Sequence, residues 1–172
     1  MDLKKELQKV FENTLKNSGT IESISSDLTN VYKQLNENSI DTYGNKIDGV
    51  DYDIIKNGII AQINLSFNTR TFLSFNLIEG ALILGCSKSI LVNDAIVLIP
   101  PPGFASVINA SFISGIGALE TPLNTLSKTN EIIVNKYFNV FSKHNKNLTF
   151  LYNGLAPNGS PITINSKGLN II

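Results

Sequence analysis

Leu3, Leu7, Val10, Phe11 and Leu15 recur at steps of three and four residues. That spacing lays apolar side chains along one face of a helix and predicts a helix over residues 2–16, which the run "NSG" then stops. A new start signal at Thr20 or Ser23 leads into Ile21, Ile24, Leu28, Val31, Tyr32 and Leu35, again at helical spacing, and predicts a second helix to about residue 38. The short break between them makes an antiparallel N-terminal helical pair, residues 1–38, the simplest arrangement. The stretch that follows, "NENSIDTYGNKIDGVD", is polar and rich in turn formers, and reads as an exposed loop.

Residues 53–91 are ambiguous, because dense Ile and Phe favour strands while Ala61, Leu65 and the length of the run favour buried helices. Two helices are expected, the first capped by Asp51 or Asp53 and the pair broken at residues 68–71. Gly58, Gly80 and Gly85 oppose this unless close packing requires them, since glycine inside a helix costs up to about 1 kcal/mol relative to alanine. "NDAIVLIPPPGF" reads as a short extended piece ended by Pro100, Pro101 and Pro102, which lack backbone donors and hold the chain near polyproline geometry. Helical spacing returns in "SVINASFISGIGALETPLNTL", interrupted by Gly115 and Gly117. A clearer helix opens at Thr129 or Asn130, with Ile132, Ile133, Tyr137, Val140 and Phe141 on its apolar face.

The tail changes character. "NLTFLYNGLAPNGSPITINSKGLNI" combines β-rich runs with turn signals at Asn153-Gly154 and Pro157-Asn158-Gly159, and predicts a hairpin or two edge strands. The whole reads as one structural domain over 1–172, mainly α and helical bundle-like, with a helical core over 53–146 that includes the proline corner 100–103 and a short β-hairpin region over 147–172. An α+β arrangement is the alternative. A hydrophobic content of 42% over 172 residues is enough to bury a core for one domain.

The formal net charge of zero gives no overall pull towards nucleic acid or an anionic membrane, so no specific nucleic-acid partner is expected. About one residue in eight is Asn, and Arg70 is the sole arginine. Cys86 stands alone, which rules out an internal disulfide and makes it a small buried apolar side chain. The N-terminal run alternates charged and apolar residues and lacks the continuous apolar stretch of a secretory signal.

Few residues promise chemistry. "GALILGCSKS" places two glycines ahead of Lys88-Ser89, but a phosphate-binding loop needs its lysine directly after the second glycine and a polar, bendable interior. His144, the one histidine, lies in "FSKHNKN" at a helix end, where a solvent-facing ring would suit the negative end of the dipole. Asp48, Asp51 and Asp53 lack the spacing and closing glutamate of a calcium loop and read as a solvated loop with a helix cap. Glu79 within "FNLIEGALIL" is either a buried acid with a raised pKa, a partner of Lys88, or outward-pointing. No catalytic, cofactor or metal site is assigned, and no enzyme activity or small-molecule substrate is expected.

Residues 95–119 carry no charge. The prolines interrupt any continuous helix, and residues 104–119 are shorter than the ~20 apolar residues a span requires. Burial against a neighbouring element or subunit is expected, with Pro100, Pro101, Pro102, Phe104, Val107 and Phe112 as the interface; insertion at a membrane interface is the alternative.

The order of these segments, from the helical pair through "IIAQINLSF" and "NLIEGALILG", the corner "LIPPPGF", "ALETPLNTL" and "IIVNKYFNVFSKH" to "YNGLAPNGSPITINSKGL", resembles the layout of small virion structural proteins of tailed bacteriophages. The resemblance is strongest over residues 80–168. It implies a neck or tail component that is assembled in the host cytoplasm, resides in the virion and works as a homo-oligomer against itself and neighbouring virion proteins.

Overall fold

Helices α1 (Leu3–Asn17) and α2 (Ile21–Glu37) form where the apolar spacing predicts them. The structure is a computed structural model, and it describes residues 1–17, 19–69, 76–93, 96–98, 126–155 and 160–172. Asp2 caps α1, its Oδ1 accepting the Lys5 amide at 3.1 Å, and Thr20 caps α2, its hydroxyl oxygen accepting the Ser23 amide at 3.1 Å. Leu3, Leu7 and Val10 are buried on α1, and Leu28, Val31, Tyr32 and Leu35 on α2. The two helices pack on each other, α1 also covers the helix over residues 126–147 and α2 also covers the helix over residues 52–69.

The segment after α2 departs from the expected exposed loop. It holds two short strands, β1 (Ser39–Ile40) and β2 (Lys46–Asp48), and buries Ser39, Asp41 and Asn45. The physical reason is a polar core to the turn. Asp41 accepts the amides of Tyr43 and Asn45 at 2.9 and 2.7 Å, and its second oxygen accepts Asn45 Nδ2 at 2.8 Å. Polar composition here encodes internal hydrogen bonding, not solvation.

Residues 52–91 do not run as two helices to their end. Helix α3 (Tyr52–Thr69) and helix α4 (Asn76–Gly85) are followed by a strand, β3 (Ile90–Asn93), which pairs antiparallel with β2 and with β4 (Ile96–Leu98). Asp51 is the α3 cap, its Oδ1 accepting the Ile54 amide at 3.1 Å. The glycines that argued against helix here permit close packing. A Cβ at Gly58 would collide with Ala81 Cβ, and one at Gly85 would stand 2.6 Å from Ile55 Cγ1 and 2.8 Å from the Asp51 carbonyl oxygen.

Helix α5 (Leu126–Asn147) starts a few residues before the predicted position and buries Val134, Tyr137, Val140 and Phe141. Its rings join the core: Tyr137 meets Phe11 with centroids 5.8 Å apart, and Phe141 meets Tyr32 at 4.9 Å. The tail forms the expected antiparallel hairpin, β5 (Thr149–Leu155) with β6 (Pro161–Lys167), and a last strand, β7 (Asn170–Ile171), pairs with β1. Asn153-Gly154 is not a turn; Gly154 lies within β5 opposite Ile162. Gly168 turns the chain at φ 78°, its amide bonding the Leu148 carbonyl at 2.8 Å. Five helices hold most of the described residues and the strands make small antiparallel sheets, so the fold is mainly α with some β.

Candidate functional site

The same spacing that buries α5 carries its stripe past Phe141 to His144 and on to Leu148. His144 is therefore not a solvent-facing helix-end residue. Its ring is 1% exposed, because a position three residues beyond Phe141 stays on the core face of the helix. It stacks on Tyr32, with centroids 5.9 Å apart and ring planes 11° from parallel, and its Nδ1 lies 3.3 Å from Tyr32 Oη. The same phenol oxygen lies 3.6 Å from Cys86 Sγ. Cys86 is buried, as its sequence context implies, and the phenol of α2 thus joins α5 to the turn that follows α4.

A second bridge runs beside the first. Asn145 Nδ2 donates to Asn36 Oδ1 at 2.9 Å, and Asn36 Nδ2 donates to Tyr52 Oη at 3.2 Å, linking α5, α2 and α3. Burial sets the electrostatics of the cluster. It pushes the Cys86 thiol up to about 12, raises the Tyr32 phenol well above its ordinary value, with Cys86 adding to the shift, and pushes His144 down to about 3. A protonated thiol and a neutral imidazole sealed from solvent do not make a nucleophile and base. His144 Nε2 and Asn145 Oδ1 have no hydrogen-bond partner.

The other sequence-selected acids are not gathered into this cluster. Glu79 is buried on α4 with burial raising its pKa, and its Oε1 has no hydrogen-bond partner; among the described residues it makes no ion pair with Lys88. Asp51 and Asp53 are exposed at the start of α3, and among the described residues no group of His, Cys, Asp or Glu is disposed to hold a metal. Pro100, Pro101, Pro102, Phe104, Val107 and Phe112, the expected interface, lie outside the described residues.

An outward-facing apolar surface lies instead on the α3–α4 hairpin. Ile54 is 37% exposed, Leu77 43% and Leu84 60%, and Ala61 and Leu65 are exposed as well. Steps of seven from Ile54 to Ala61 and from Leu77 to Leu84 put each set on one side of its helix. The two helices meet at Gly58 and Ala81, with Gly85 against Ile55, so they run antiparallel. Both sets are rotated in the same sense from that contact, which brings them to one face of the hairpin, opposite the side that buries Ile55, Ile59, Ile78 and Leu82.

Neither feature stood out in the sequence. Tyr32 and Asn36, four residues apart on the α2 stripe, were a detectable signal for a polar seam, whereas the outward leucines were masked by the all-round apolar character of α4. No protein family matches the chain, and neither a curated protein nor a solved structure is similar to it at a significant level.

Proposed function

We propose that this chain is a structural subunit of a phage-like particle, assembled through protein–protein interfaces in a neck or tail. What carries the reading beyond the order of sequence segments is the outward apolar face of the α3–α4 hairpin, where Ile54, Leu77 and Leu84 expose large side chains without an intervening charge on their stripes. Such a face suits burial against a copy of the same chain or a neighbouring subunit, and its tight Gly58–Ala81 support makes it a rigid surface that loses little entropy on association. The sealed polar cluster, by contrast, offers no open site for a substrate.

Two measurements test this. Purified particles from a host that encodes the chain should contain it by mass spectrometry, and its absence from mature particles and assembly intermediates alike would overturn the reading. Sedimentation of the purified protein should show concentration-dependent oligomers. Binding of the soluble protein to neutral vesicles, abolished by Phe112→Asp, would replace the proposal with a membrane-active protein acting through residues 104–119.

A further inference from the structure

We propose that His144 is an acid-sensitive latch: one proton added to its ring releases α5 and the β5–β6 hairpin from α2 and α4. The geometry carries this. In either tautomer the neutral ring uses Nδ1 towards Tyr32 Oη, as acceptor or donor, and leaves Nε2 without a partner. The protonated ring has two N–H donors and one acceptor within reach, and it is a cation in a sealed interior.

Among the described residues, no charged group offsets that charge, and burial alone shifts the ring. From α2 it meets the neutral Tyr32, whose hydroxyl oxygen also lies 3.6 Å from the protonated thiol of Cys86 in the turn after α4. Tyr52 of α3 stands behind Asn36, a neutral phenol; Glu37 and Asp48 bear on Tyr52 and not on the ring. On α5 itself, Lys143 and Lys146 near His144 are exposed, and both are cations. Glu79 is buried on α4 and does not bear on the ring, whose shift has burial as its cause. A stacked phenol at 5.9 Å is at the outer limit of useful cation–π contact.

Position turns a local cost into a release. Leu148 donates its amide to the His144 carbonyl at 3.0 Å, Asn145 accepts the Leu169 amide at 2.8 Å, and Gly168 bonds Leu148 at 2.8 Å. The root of the hairpin therefore hangs on the turn of helix that holds the ring. The unfolded chain takes up its imidazole proton near 6.5, while the folded chain resists to about 3. Stability is thus lost as pH falls through this window, by up to tenfold in the folding constant per pH unit below 6.5. Glu79 acts in the opposite sense, and a comparison of wild type with a His144 variant cancels it.

His144 is the one histidine of the chain, so its ring resonances are unambiguous in the wild-type protein. In an NMR titration from pH 7.5 to 4, the folded ring signal should keep its neutral shift and only lose intensity to an unfolded or opened species; smooth titration of the folded signal near 6.5 would overturn the proposal whether or not any variant folds. Denaturant unfolding should show that wild type loses about sixteenfold more in its folding constant between pH 6.5 and 5 than His144→Gln, and equal losses would overturn it. Hydrogen exchange on acidification should first expose the amides of Leu148, Gly168 and Leu169 while α1 and α2 stay protected. Simultaneous loss of protection in all elements would reduce the latch to ordinary acid unfolding and overturn the release.

Discussion

Four hydrogen bonds converge on the carboxylate of Asp41: two backbone amides on Oδ1, and Asn45 Nδ2 and the Ser166 hydroxyl on Oδ2, the last at 2.7 Å. Burial alone would raise its pKa, but the bonds from Ser166, Asn45 and Tyr43 outweigh it and hold the carboxyl below its usual value. The group therefore contributes stability that is present above the ordinary carboxylate range and lost as pH falls below it, starting at the lower end of the window assigned to His144. Asp41→Ala should cost about 2–4 kcal/mol, because it strands several donors, whereas Ser166→Ala should cost about 1 kcal/mol. Denaturant unfolding at pH 7 checks the order; equal costs would show that the tie to β6, not the turn, is what Asp41 holds. Cys86 supplies a second residue-scale test. Its thiol should resist a disulfide exchange reagent at pH 8 in the native protein and react promptly once the protein is denatured.

Among the elements, α3 and α4 separate two effects of glycine that sequence reading merges. A Cβ on Gly80 meets nothing within 4 Å, so Gly80→Ala should stabilise by about 0.5–1 kcal/mol through reduced backbone entropy of the unfolded chain. A Cβ on Gly58 lands on Ala81, whose own Cβ has no torsion with which to yield, so the helices must part. Gly58→Ala should therefore destabilise by about 1–3 kcal/mol despite the same gain in helix propensity. Thermal unfolding of the two variants side by side tests this, and a stabilised Gly58→Ala would mean that the hairpin is not held by close approach.

At the scale of the whole molecule, the outward face of the hairpin and the inward face that builds the core make opposite demands on leucine. Leu84 is 60% exposed while Leu82 is fully buried. Leu84→Lys should leave the melting temperature within a few degrees and shift any oligomer towards monomer in sedimentation, because an exposed substitution removes little intramolecular packing. Leu82→Ala should cost about 2–5 kcal/mol from lost contacts and a residual cavity. An oligomer unchanged by Leu84→Lys, or a monomer unfolded by it, would remove the face from consideration as an interface.

Local rules account for α1, α2 and the burial of α5, because a three- and four-residue apolar spacing specifies a helix and its inner face wherever partners exist to cover it. They also specify the caps at Thr20 and Asp51, which act within three residues, and the β character of residues 149–167. Tertiary structure decided everything that depends on residues far apart in the chain. Asp41 and Ser166 are 125 positions apart, Asn36 and Asn145 are 109, and β1 pairs with β7 across nearly the whole domain. A polar residue's local pattern is the same whether it meets water or a buried partner, which is why the loop after α2 read as solvated and His144 as exposed; only packing supplies the partner and removes the water.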